Sequence, residues 1–273
     1  MPELPEVETT RRGIEPAVRG RCLRAVTVRE GRLRQPVPAD LAASVAGAEL
    51  RAVRRRGKYL LFDFDHGSVL LHLGMSGSLR VVEAGSEPGR HDHVDLVFGS
   101  DAVLRYRDPR RFGLILWQAG AAEAHPLLAR LGIEPLAAEF DGAWLFAATR
   151  GSKVAIKSWL MDAHRVVGVG NIYASESLFG ARIHPLTPAG TLGRARCARL
   201  AHAVQDTLRA AIALGGSSLR DYVGGDGAQG YFMLESAVYG RAGEPCRTCG
   251  TPIERRVLAQ RATYWCPRCQ RRR

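Results

Sequence analysis

The opening residues carry a helical period. Val7, Ile14 and Val18 recur at helical spacing, Pro5 stands where it can open a helix, and Glu6 and Glu8 fall in a first turn that favours acids. Such a helix buries one face and fixes the terminus, with Gly13 and Pro16 expected to weaken or end it. From Leu23 to about Ile133 the period shortens. Ala25–Val28, Tyr59–Phe64, Val69–Leu73, Val94–Phe98, Val103–Tyr106 and Leu114–Trp117 are β-rich and bounded by Gly, Asp, Pro or Ser. Repeated short strands without intervening helices predict an antiparallel sandwich or barrel, with one short helix around Leu41–Ser44. Near Leu131–Pro135 the pattern becomes helical again, over Phe140–Ala148, Ala155–Met161, Ile172–Phe179 and Arg194–Ala213. Asn171 and Ser217 are the expected N-caps, and Gly215-Gly216 ends the long helix. Asp221–Gly230 holds four glycines in ten residues and is read as a mobile loop.

Composition adds a partner class. The 273 residues carry a net charge of +12, which calls for a polyanion. The charge is clustered at Arg51, Arg54, Arg55, Arg56 and Lys58, at Arg105, Arg107, Arg110 and Arg111, and along the tail from Arg255 to Arg273. Clusters of this kind suit a groove that tracks phosphates. Aromatic content of 7% argues against extended base stacking as the main binding mode. No run approaches a membrane span and the acidic, Pro-rich start does not read as a signal peptide. The expectation is a cytoplasmic, nucleoid-associated protein with no membrane partner, and a monomer, since no oligomerisation segment is evident.

The cysteines give the most specific local signal. Cys246-x2-Cys249 and Cys266-x2-Cys269, sixteen residues apart, match a four-thiolate zinc pattern. Four protein ligands leave no open position, so one structural Zn2+ is expected. Between the pairs, 259–263 should form a hairpin tip that presents Arg261 to a ligand. Cys22 and Cys197 lie outside the pattern and are expected to be buried, inert thiols.

The chain start offers a second chemistry. If Met1 is removed, Pro2 is a free secondary amine next to the Glu3 carboxylate. Such an amine attacks an aldehyde-like carbon to give an iminium, an electron sink of the kind a lysine Schiff base provides. An α-amine is also more neutral near pH 7 than lysine. An exposed terminus that merely precedes a helix remains the alternative at this level.

In order along the chain, the sequence resembles the bacterial formamidopyrimidine-DNA glycosylases, which repair 8-oxoguanine. The resemblance rests on Met1-Pro-Glu-Leu-Pro-Glu-Val-Glu8, Gly57-Lys-Tyr-Leu-Leu61, His72-Leu-Gly-Met-Ser-Gly77, Asp108-Pro-Arg-Arg-Phe-Gly113, 167–177 around Gly170-Asn-Ile-Tyr173, and Gln260-Arg-Ala-Thr263. It implies an α+β multidomain chain. An N-terminal β-sandwich with flanking helices (1–133) would precede a helix–two-turns–helix DNA-binding domain (134–237) and a zinc-binding β-hairpin finger (238–273).

The resemblance also implies roles. Pro2 would be the nucleophile at C1′, Glu3 a general acid/base beside it, Lys58 a proton donor that also holds a phosphate, and Arg261 a finger arginine on the phosphates that flank the lesion. Met75, Arg110 and Phe112 would fill the void left when the damaged nucleotide flips out of damaged double-stranded DNA. His91, Asn171 and Tyr173 would contact the DNA backbone, and the Gly-rich loop would close on the everted base. Arg150-Gly-Ser-Lys153 departs from the lysine run expected there, which leaves Lys153 as the DNA contact, and the loop is richer in glycine than the pattern. Two other readings compete: the related endonuclease VIII type, which favours oxidised pyrimidines, and a non-catalytic zinc protein that reuses the scaffold.

Overall fold

A computed structural model describes residues 2–216 and 236–272. The chain divides into two compact units, 1–130 with 214–231, and 131–213 with 232–273. Ser217 and the Gly-rich loop at 221–230 lie outside the described residues.

The first unit begins with α1 (Leu4–Val18). The helix opens one residue before Pro5 because Glu3 serves as its N-cap, and Glu6 reaches back to accept the Glu3 backbone N–H at 2.7 Å. This reciprocal arrangement satisfies donors that the first turn would otherwise leave bare. Pro16 does not end the helix, because it sits in the last turn and so costs only one backbone bond. β1 (Leu23–Val28) and α2 (Leu41–Val45) follow, and then seven strands: β2 (Ala52–Arg56), β3 (Tyr59–Phe64), β4 (Gly67–His72), β5 (Ser78–Glu83), β6 (Asp92–Phe98), β7 (Ala102–Arg107) and β8 (Leu114–Ala119). They form two antiparallel sheets, ordered β1-β6-β7-β5 and β2-β3-β4-β8. One apolar core takes Val7 and Ile14 from α1, Leu60 and Phe62 from one sheet, and Leu96 and Leu104 from the other. This is the expected sandwich. Cys22, expected to be buried, is exposed just before Leu23, which turns inward.

The second unit holds α4 (Gly142–Thr149), α5 (Ile156–Leu160), α6 (Asn171–Gly180) and α7 (Arg194–Ala213), with a short α3 (Pro126–Ala129) closing the first unit. α4 and α6 both pack on α7. The long helix is followed by Gly215 and Gly216 at φ 76° and 85°, the left-handed exit that glycine permits. α6 is capped by Gly170, so Asn171 is its first helical residue and not its cap. The hairpin β9 (Glu254–Leu258) and β10 (Arg261–Trp265) packs on α6 within the same unit.

A buried ion-pair cluster ties α1 to the sheet. Glu8 accepts from Arg11, Arg12 and Arg55, and Arg11 also donates to the Val53 carbonyl at 3.3 Å. Burial pushes the Glu8 carboxyl up, but hydrogen bonds from Arg11 and Arg12 and the nearby charges of Arg11 and Arg55 hold it below its ordinary value. A depressed carboxyl stabilises the fold above its unfolded pKa and loses that contribution as pH falls through the folded one. Glu8→Gln should therefore cost about 2 kcal/mol in urea unfolding at pH 7, and the gap to wild type should close as pH falls below the ordinary carboxylate range. A gap that persists in acid would remove the charge from this account.

Candidate active site and nucleic-acid interface

Strand register brings the scattered motifs to one end of the sandwich. Tyr59, His72 and Leu114 form a cross-strand row through β3, β4 and β8. Immediately beyond that row lie Lys58 before β3, the turn 73–77 with Met75 after β4, and the turn 108–113 with Arg110 and Phe112 before β8. The other sheet ends alike. Asp92 of β6 pairs with Arg107 of β7, His91 precedes one and Asp108 follows the other, and the Asp108 N–H donates to the His91 carbonyl at 3.0 Å. α1 shares this polarity. Arg11 meets Val53 and Glu8 meets Arg55, so the helix runs N-terminally as β2 runs toward Gly57 and Lys58. Pro2 and Glu3, both buried, thus stand at the end that carries Lys58.

Gly57 and Lys58 form a two-residue hairpin loop with Gly57 at φ 57°, a backbone that suits strand twist. Lys58 is half-buried, and its charge acts on His72. Burial, then the charges of Lys58 and Arg34, push the His72 imidazole down to about 4. The ring therefore stays neutral near pH 7, which leaves its Nδ1 able to accept the Gly74 N–H at 2.9 Å.

Asp108 organises the two exposed turns. Its carboxylate is fully buried and accepts from Ser76 Oγ at 2.8 Å, Tyr106 OH at 3.0 Å, Gly113 N at 2.9 Å and Arg110 N at 3.2 Å. Ser76 belongs to the first turn, Arg110 and Gly113 to the second, so one carboxylate binds both. The turns touch backbone to backbone. A Cβ on Gly74, which sits at φ 68°, would lie 2.5 Å from the Phe112 carbonyl carbon and the Gly113 nitrogen. From this base Met75 and Phe112 project 37% and 45% exposed, and the Arg110 guanidinium lies 4.9 Å from the Phe112 ring centre. Exposed apolar side chains on a rigid turn are costly in water and suit insertion into a partner.

In the second unit, Lys157 is wholly buried and donates to Asn171 Oδ1 at 2.5 Å, Thr263 Oγ1 at 2.8 Å and the Ala262 carbonyl at 3.1 Å. Its three ammonium donors therefore fix the start of α6 and the strand next to Arg261. Arg261 is exposed at the hairpin turn. The turn residues Ala259 and Gln260 both adopt left-handed backbone, φ 45° and 61°, without glycine, and so store strain of about 1 kcal/mol each. Lys153 is exposed before α5, whereas Tyr173 is fully buried.

The four cysteines converge, with all sulfurs within 4.8 Å of one another, Cys246 to Cys269 at 3.9 Å and Cys249 to Cys266 at 3.5 Å. A tetrahedral zinc with Zn–S near 2.3 Å requires sulfurs about 3.8 Å apart, so the set fits that ion. Backbone N–H groups of Thr248 and Cys269 point at Cys246 and Cys266 sulfurs at 3.4 Å, as thiolates require.

Sequence reading did not assign roles to Asp108, Lys157 or Glu176. Glu176 accepts the N–H groups of Ala237, Val238 and Tyr239 and so anchors the chain that enters the zinc element. Lysine inside Ala155-Ile-Lys-Ser-Trp-Leu160 and glutamate inside Ala174-Ser-Glu-Ser177 were the available signals, since a charge within an apolar helix must find partners. Asp108→Asn offers one acceptor oxygen where two are needed and turns an N–H toward donors. It should cost about 2–3 kcal/mol and speed amide exchange at Arg110 and Gly113. Unchanged exchange at Gly113 would remove Asp108 as the anchor.

Three family models match the chain: the formamidopyrimidine-DNA glycosylase N-terminal domain over 1–115, its H2TH domain over 131–223, and the zinc finger found in FPG and IleRS over 243–272. A formamidopyrimidine-DNA glycosylase of Aromatoleum aromaticum is 67% identical, with 100% of both chains covered. The crystal structure of the MutM (FPG) protein of Thermus thermophilus superposes with a TM-score of 0.88 at 42% identity, covering 98% of each chain. The Lactococcus lactis Fpg in complex with DNA containing an abasic site superposes at 0.90 with 33% identity, covering 99% of this chain and 100% of that one. With its sandwich, its helical unit and its four-cysteine hairpin each matched in order along one chain, this protein belongs to the formamidopyrimidine-DNA glycosylase family.

Proposed function

We infer that the chain is a base-excision repair enzyme, a bifunctional DNA glycosylase and abasic-site lyase that removes oxidised purines such as 8-oxoguanine and formamidopyrimidines from duplex DNA. The observation that carries this reading is the gathering of Pro2, Glu3 and Lys58 at the end of the sandwich that also bears Met75, Arg110 and Phe112. One group supplies the nucleophile and the other fills the space that a flipped nucleotide leaves. The Arg110-Arg-Phe-Gly113 turn and the Pro2–Glu8 opening favour the purine-specific branch over the endonuclease VIII type. Relatives of this fold have been captured on Fapy-dG and carbocyclic 8-oxo-G DNA, which supports the same substrate class.

With Met1 removed, the Pro2 nitrogen attacks C1′, the bond from C1′ to the base breaks, and the base leaves with a proton. Glu3 supplies a proton to the sugar oxygen as the ring opens, which leaves an iminium between Pro2 and C1′. The iminium acidifies C2′–H, so loss of that proton expels the 3′ phosphate. A second elimination then expels the 5′ phosphate. Lys58 holds a phosphate and donates a proton. Arg261 stabilises charge on the flanking phosphates, since its high pKa makes it a poor acid. His91, Lys153, Asn171 and Tyr173 are read as the backbone contacts, of which Tyr173 is buried in the free protein. The single zinc, held by Cys246, Cys249, Cys266 and Cys269, shapes the hairpin that carries Arg261 and has no open position for chemistry.

Among the described residues no helix is long and apolar enough to cross a membrane. The partner is damaged double-stranded DNA, the enzyme acts as a monomer in the cytoplasm, and its basic charge supports association with the nucleoid. Borohydride trapping on an 8-oxoguanine:cytosine duplex tests the nucleophile. Wild type should give a covalent adduct, and Pro2→Gly should lower it by about a hundredfold. Full trapping by the variant would move the nucleophile elsewhere, and better trapping on oxidised thymine would return the chain to the pyrimidine branch.

A further inference from the structure

The second unit carries a cavity of about 950 Å3 that is lined by none of Lys153, Asn171, Tyr173 and Arg261. Its lining includes Arg182, Arg196 and Arg199 from the end of α6 and the start of α7, Arg268 and Arg271 from the second zinc knuckle, and Thr248 from the first. Among the described residues no carboxylate lines it. Two zinc ligands, Cys249 and Cys269, also border it, so part of the positive charge offsets the metal site. A zinc tetrathiolate carries a net charge of two minus, so Arg182, Arg199, Arg268 and Arg271 alone leave a surplus of about two positive charges.

Pairing elsewhere makes that surplus conspicuous. In the first unit Arg11, Arg29, Arg51, Arg54, Arg55 and Arg105 each meet a carboxylate. Among the described residues no carboxylate pairs with Arg182, Arg199, Arg268 or Arg271. The backbone gives a second, independent sign. α6 ends in a Schellman turn, with the Ile183 N–H donating to the Leu178 carbonyl and Arg182 N–H to Phe179. The left-handed position of that turn is the one glycine usually fills, yet Arg182 occupies it at φ 55°. Arg182 thus holds a backbone that glycine would adopt without strain, and it borders the cavity.

Position separates the cavity from the DNA contacts. Asn171 and Gly180 are the two ends of α6, a length of about 15 Å. Arg261 and Cys266 are likewise separated by the length of β10, about 17 Å. The cavity thus lies at the far ends of the elements whose near ends carry Asn171 and Arg261, and this separation rests on the DNA reading given above.

We propose that this cavity is a binding site for an oligophosphate chain. Guanidinium groups come to it from two parts of the unit, the α6–α7 corner and the zinc knuckles. A tetrahedral phosphate presents oxygens in several directions and can be held by both, whereas a planar carboxylate presents its pair to one. The volume falls within the range of small-molecule sites and is too small to admit a duplex. A bound chain would bridge the helical corner to the zinc knuckles.

The test uses the zinc-loaded full chain with its DNA groove filled by a duplex bearing a stable abasic analogue. Duplex binding, measured first, tests the DNA reading separately. Titration with tripolyphosphate at about 150 mM salt should then show one bound per chain. A parallel titration with a nucleoside triphosphate tells whether the nucleoside adds affinity; equal binding assigns the site to the phosphate chain alone, and tighter binding to a nucleotide, both within the proposal. Arg182→Gly with Arg199→Ala should weaken tripolyphosphate about tenfold or more and leave incision of damaged duplex unchanged. Arg182→Gly relieves the strained turn, so the variant retains its fold. The proposal fails if the duplex abolishes tripolyphosphate binding, if the double variant binds as wild type does, or if oligoglutamate binds more tightly and so points to an acidic protein partner.

Discussion

The first unit depends on one buried carboxylate. Asp108 is fully buried beside the apolar core residue Tyr106, where an unpaired charge would be prohibitive. Its four donors come from β7 and from two turns far apart in sequence. The turns therefore cannot move independently, and the apolar side chains they carry are held out in water. Glycines at 74 and 113 make this possible by letting the two backbones touch. Two exposed apolar side chains thus stand on loops that a shared buried carboxylate holds in place, so little ordering cost remains for a partner that covers them.

The second unit uses the opposite sign for the same purpose. Lys157 spends all three donors on α6 and β10, and Glu176 accepts three consecutive backbone N–H groups at the entry to the zinc element. Gln270 adds a bond to the Ile183 carbonyl at 2.9 Å. The finger is therefore built into the helical unit by buried polar contacts, which explains why the expected second and third stretches form one compact body. Metal and buried charge share the task of holding Arg261 in place.

Most of the fold was legible from period alone. The strands that came through were those with dense apolar runs, Tyr59–Phe64 and Val94–Phe98 among them. The two that did not, β2 and β5, are sheet edges. β2 reads Ala-Val-Arg-Arg-Arg because an edge strand spends side chains on charge that discourages further pairing. At the site, the terminal proline, the cysteines and the glycine-flanked turns could be read because their chemistry is local. Asp108 and Lys157 could not, since a charge reveals itself as structural only when its distant partners are known. Asn171 shows the same limit: its local pattern suggests a cap, but its amide is claimed by a lysine fourteen positions earlier.

The hairpin tip at Ala259 and Gln260 constrains how this finger can diverge. A two-residue connection in left-handed backbone fixes the register of β9 against β10, pairing Arg261 with Leu258. Adding or removing one residue there would turn every β10 side chain to the opposite face, sending Arg261 away and driving Thr263 off Lys157. Most surface loops vary freely in length between relatives. This one can exchange its side chains, even for a less strained pair, but a change in its residue count would cost the hairpin its register.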